Sequence, residues 1–121
     1  MERILGLGGV FFKCRDPKAL AAWYAEYLGV PVEAGHTYAS LTSVAAGETT
    51  VWSTFPADTK YFGSGSQSLM INYRVKDLDA MLAQLRAAGA VVEDDIQDHG
   101  YGRFGWAVDP EGNRFELWET K

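Results

Sequence analysis

The chain has 121 residues, 47% hydrophobic and 22% charged, the balance of a soluble globular protein. That length suits one domain, or two small halves sharing a sheet. A net charge of −5 with no run of basic residues argues against nucleic acid and anionic membrane as partners, because phosphate binding needs clustered Lys and Arg.

The first element is apolar, from Ile4 to Phe12. It imitates a signal-peptide core, but Glu2 offsets Arg3 and no small-residue cleavage site precedes Lys13, Arg15 and Asp16. It is also too short to span a bilayer. Val10, Phe12 and Cys14 alternate with Phe11 and Lys13, which predicts a strand. Cys14 is the sole cysteine, so it makes no internal disulfide and no thiolate metal site by itself. It reads as a small buried hydrophobe in a reducing cytoplasm.

Asp16 then offers a helix cap, with Pro17 at the favoured first position. Leu20, Trp23, Tyr24, Tyr27 and Leu28 form one apolar stripe, and Gly29 ends the helix. Strands are expected near 38–44 and 49–55 around the turn AAGE. Residues 57–68 carry Gly and Ser and read as a linker.

The pattern then repeats. Ile71, Tyr73 and Val75 alternate with Asn72 and Arg74, and Asp77 follows Asp16 by 61 residues. Leu78, Met81, Leu82 and Leu85 form the second stripe, ended by Gly89. Strands are expected at 104–108 and 114–118 around DPEGN, a turn by residue type. His36-Thr37-Tyr38 and His99-Gly100-Tyr101 also correspond. Residues 1–56 and 69–121 therefore each read as a βαβββ module of one domain, 1–121. Such halves cannot easily bury a sheet alone. The expected fold is α+β, with two modules paired by a pseudo-two-fold into a curved mixed sheet, helices outside and a concave face for a ligand.

Strand–Asp–helix–Gly openings at this separation, together with DPEGNRFEL at residues 109–117, resemble the vicinal oxygen chelate superfamily. That superfamily includes glyoxalase I, the fosfomycin and bleomycin resistance proteins and extradiol dioxygenases. The resemblance covers nearly the whole chain and is closest to small two-module members. It implies a divalent metal held from the first strand of each half, usually by His, and from the last strand of each half, usually by Glu. The first-strand ligand lies seven residues before the capping Asp, which here gives Gly9 and Met70. Gly9 has no side chain, and the Met70 thioether is a soft donor. The first half's last strand offers Val51, or Trp52 if the register slips by one. Only Glu116 matches a family ligand, whereas a catalytic zinc wants about three. No metal cofactor is therefore expected at the family position, although a set built on His36 or His99 stays open.

Strand parity predicts the faces. Phe11, Lys13, Met70, Asn72 and Arg74 would face the concavity. Pairing Val108 with Phe115 and Trp106 with Leu117 would put those four on the helix side and Arg114, Glu116 and Trp118 opposite, beside Gly105 and Ala107; the loop length leaves a shift of one open. The candidate ligand-binding residues are Phe11, Trp52, Met70, Asn72, Arg103 and Trp118. Glu116, the candidate catalytic group, would pair with Arg103 or Arg114, or act as a base. Two functions follow from this. One is a metal-independent protein, like the bleomycin resistance members, that binds a small planar or aromatic molecule. The other is an enzyme of glyoxalase (lyase) or dioxygenase type using Glu116. A purely structural dimer module is a third. The resemblance also implies a homodimer.

Overall fold

The computed structural model describes residues 1–42, 49–64 and 66–121, with backbone only at 27 and 28. The expected AAGE turn, residues 43 and 44, and the side chains of Tyr27 and Leu28 lie outside the described residues. Among those described there are eight strands and two helices, an α+β chain. In order these are β1 (Ile4–Cys14), α1 (Pro17–Leu28), β2 (Tyr38–Thr42), β3 (Thr49–Pro56), β4 (Leu69–Val75), α2 (Leu78–Ala87), β5 (Val91–Val92), β6 (Gln97–His99), β7 (Gly102–Val108) and β8 (Arg114–Thr120). The chain divides into two compact units, Gly9–Leu69 and Met1–Gly8 with Met70–Lys121. The first eight residues thus belong with the C-terminal unit.

In the unit Gly9–Leu69, β3 lies between β2 and β1, antiparallel to the first and parallel to the second. Asp16 caps α1 by accepting the Ala19 N–H at 3.1 Å, and Gly29 closes it with φ 68°. Val10 pairs with Trp52, and both Phe12 and Trp52 pack against Tyr24 of α1. The opposite face carries Phe11 and Phe55, 5.3 Å apart. Tyr61 stacks on Phe55, and Phe62 packs beside it with Lys13 Nζ 5.5 Å above its ring. Phe62 is 1% exposed, so the segment read as a linker supplies part of this unit's core.

In the other unit the strands run β4–β8–β7–β5, with β6 also on β7. The short β5 and β6 carry no readable alternation. Asp77 caps α2 through the Ala80 N–H at 3.0 Å, and Gly89 beyond the helix end has φ 83°. Leu78, Met81 and Leu82 pack on Val75 and Leu117, with Tyr73, Leu85, Val92 and Phe115 around them. This is the apolar stripe expected of a half-buried helix.

The final hairpin departs from expectation by one residue. Trp106 pairs with Glu116 and Val108 with Arg114, not with Leu117 and Phe115. The cause is loop closure. Asp109 Oδ1 accepts the N–H groups of Glu111 and Asn113, each at 2.9 Å, while Asp109 N–H donates to the Asn113 carbonyl. That side-chain bonding pins all five residues of DPEGN into the loop. A slip of one reverses every side chain of a strand relative to its partner. Trp106 therefore shares the face of Glu116, whereas Gly105 lies under Leu78 and Leu82 of α2.

Candidate functional site

Glu116 is 1% exposed. A carboxylate taken from water needs partners to offset its lost hydration. Two neighbouring strands provide them. The β4–β8 register sets Asn72 beside Glu116, and Asn72 Nδ2 donates to Oε1 at 2.5 Å. The β7–β8 register sets Trp106 on the other side, and its Nε1 donates to Oε2 at 3.0 Å.

Each partner is held in turn. Asn72 is 1% exposed, and its Oδ1 is buried with no hydrogen-bond partner. That oxygen lies 1.8 Å from where a Cβ on Gly8 would stand, so the close approach depends on glycine there. The guanidinium of Arg114 lies over the Trp106 ring, 5.1 Å from its centroid. Glu93 grips Arg114 through Nε at 2.5 Å and Nη2 at 2.9 Å, while Nη1 points at the Met70 sulfur at 3.7 Å. Phe104 and Trp118 stack at 5.7 Å on the same face, and Trp118 Nε1 donates to the Tyr101 carbonyl. Arg74, also buried, donates to the Leu7 carbonyl.

Met70, Asn72, Glu116 and Trp118 thus come together as the strand pattern suggests. Arg103 does not join them. It lies on the α2 side of β7, making a fork to Asp79 at 3.0 and 3.1 Å, with Glu119 at 3.9 Å. It is therefore not the partner of Glu116. Trp52, offered as a concave wall, sits under α1 instead. Val51, not Trp52, is the register partner of Gly9. Phe11 is 6% exposed and packs on Phe55. Trp106 and Glu93 are the two site residues that sequence reasoning missed. Trp106 was hidden by the register shift, and Glu93 sits just past a two-residue strand with no motif around it.

The Arg114 fork holds the Glu93 carboxyl below the usual glutamate range, against an opposing push from burial. A depressed folded value means stability that is complete above the unfolded pKa of about 4.3 and is lost as pH falls through the lower folded value. Glu93→Gln should therefore flatten the acid limb of the stability–pH curve below about pH 4.3 and leave its neutral plateau lowered. Urea midpoints measured from pH 7 downward check this. An acid limb unchanged in the variant would remove Glu93 from that linkage.

The donor set does not fit the superfamily's metal. Gly9 and Val51 offer no side-chain donor, and Met70 offers sulfur turned toward Arg114. Both oxygens of Glu116 already accept N–H groups. Among the described residues no group of three or more His, Cys, Asp or Glu is arranged to hold a metal ion. His36 stacks on Tyr38 and lies 3.6 Å from Glu33, and His99 stacks on Tyr101 with Gln97 at 3.2 Å. The repeated His–Tyr motif is thus a repeated surface ring stack.

Proteins of known structure share this fold. Methylmalonyl-CoA epimerase of Streptomyces coelicolor, in complex with 2-nitronate-propionyl-CoA, matches with a TM-score of 0.73 at 18% identity, covering 96% of this chain and 97% of that one. The epimerase of Mycobacterium tuberculosis matches with a TM-score of 0.69 at 22% identity, over 98% and 89%. An NAD-dependent benzaldehyde dehydrogenase of Legionella pneumophila matches with a TM-score of 0.63 at 15% identity, over 93% and 98%. No curated protein sequence matches. At these identities the likeness shows the fold. The family is shown by sequence, since residues 9–118 match the model of the glyoxalase-like domain. The chain belongs to the glyoxalase-like domain family, and so to the vicinal oxygen chelate superfamily. No helix among the described residues is long and apolar enough to cross a membrane.

Proposed function

We propose that the chain binds a small planar or aromatic molecule on the face built around Glu116, without the divalent metal its superfamily's enzymes use. The observation that carries this reading is the state of Glu116. It is the one family position with a hard donor, and its two oxygens accept N–H groups from Asn72 and Trp106. Small-molecule sites combine aromatic walls with a few oriented polar groups. Here the walls are Trp106 and the Phe104–Trp118 pair. Phe104 and Trp118 are each 8% exposed. The net charge of −5 mildly favours a cationic ligand. The protein would work in the cytoplasm and form a homodimer, as small members of the superfamily often do.

Metal analysis of protein purified without chelator tests the reading. The expected result is no stoichiometric Zn, Ni, Mn or Fe. Stoichiometric metal that disappears in Glu116→Gln would overturn it. A second reading, an enzyme of glyoxalase or dioxygenase type, is favoured by the retention of a buried, oriented Glu116. It predicts activity that Glu116→Gln abolishes while the fold persists.

A further inference from the structure

We infer that Trp106 and Asn72 are positioning residues that stand in for the superfamily's metal on Glu116, and that the Glu93–Arg114 ion pair holds Trp106 in that role from the protein surface. The inference rests on the metal-free reading above and names the residues that make it work.

A metal would do two things for this carboxylate. It would answer the negative charge and fix the direction of each oxygen. The N–H groups of Asn72 and Trp106 do both, one per oxygen, from opposite sides of β8. Hydrogen bonds to an ionised acceptor are about twice as strong as neutral ones. The Asn72 Oδ1 sits in the room left by the missing side chain of Gly8. Trp106 is 1% exposed, with the Arg114 guanidinium lying over its ring. Arg114 is tied by two atoms to Glu93, whose side chain is 35% exposed. A continuous line of contacts therefore runs from a surface carboxylate to a buried one, through Arg114 and Trp106. Its output is the orientation of Glu116 toward whatever the face binds.

The indole N–H resonance of Trp106, identified by its loss in Trp106→Phe, reads this arrangement directly. In the wild type it is expected downfield and slow to exchange. Glu116→Gln should move it upfield and speed its exchange on the order of tenfold, since the charged acceptor becomes at best a neutral amide oxygen. Glu93→Gln and Arg114→Ala should move the same resonance in the same direction. Arg114→Lys should fail to restore it, since an ammonium has neither the fork nor the flat stacking surface. Lys121→Ala, which breaks the exposed pair with Asp98, should leave it in place. An unmoved resonance in Glu116→Gln overturns the hydrogen-bond role. Should that variant not fold, an unmoved resonance in both Glu93→Gln and Arg114→Ala overturns the surface link. Saturable broadening of the wild-type resonance by equimolar Mn2+ overturns the metal-free reading itself, whatever the variants show.

Discussion

Glu116→Ala is expected to lower folding stability by about 3 kcal/mol, since the change orphans two buried donors and each unsatisfied group costs about 1–3 kcal/mol. The orphans are the Trp106 indole N–H and the Asn72 amide. Relief of the desolvation of a buried charge offsets part of the loss. Glu116→Gln should lose about half as much, because an amide oxygen still accepts one N–H while its NH2 group faces the other. Glu111→Ala, on the exposed loop, should stay within about 0.5 kcal/mol of wild type. Urea unfolding of the three variants checks the order. Equal stability of wild type and Glu116→Ala would mean that the carboxylate contributes nothing to the fold and is kept for ligand contact alone.

The same ranking bears on function. A general base must be able to turn toward the proton it takes. Asn72 and Trp106 hold the Glu116 carboxylate in one orientation. That supports the proposed binding role over proton-transfer chemistry, at the one family position with a hard donor.

Much of this was legible in the chain because the signals are local. Period-two alternation marks β1 and β4, a capping Asp precedes each helix, and Gly29 and Gly89 mark the helix ends. The same local pattern put Met70, Asn72, Glu116 and Trp118 on one face. What escaped depends on contacts between distant positions. Asp109 and Asn113 close a loop with their side chains, and this shifted Trp106 from the helix side to the Glu116 side. Arg103 found Asp79 across a helix–strand contact rather than the carboxylate nearer in the motif. Trp52 went under α1 because the parallel β1–β3 pairing, set by neither strand alone, aligns it with Val10. Tyr61 and Phe62 looked like linker residues because Gly and Ser surround them, yet their rings cover Phe55. In each case the residue type was visible and its partner was not.

Gly102→Ala should be strongly destabilising, at about 4 kcal/mol. Two causes add. Gly102 has φ 152°, a conformation that L residues rarely adopt and that costs of order 1–3 kcal/mol. A Cβ there would also stand 2.2 Å from Trp118 Nε1 and 2.7 Å from the Glu119 carbonyl oxygen. Overpacking a filled site typically costs about 1–3 kcal/mol more. Relief by movement is blocked, because Trp118 is stacked on Phe104 and bonded to the Tyr101 carbonyl, and Glu119 O is backbone. Gly112→Ala separates the two causes. It has φ 86° and nothing within 4 Å of the added methyl, so it carries conformational strain alone. The difference between the two variants reads the clash with Trp118 and the Glu119 carbonyl together. If Gly102→Ala costs no more than Gly112→Ala, the indole yields freely, and the Phe104–Trp118 pair is a movable lining rather than a rigid wall of the Glu116 face.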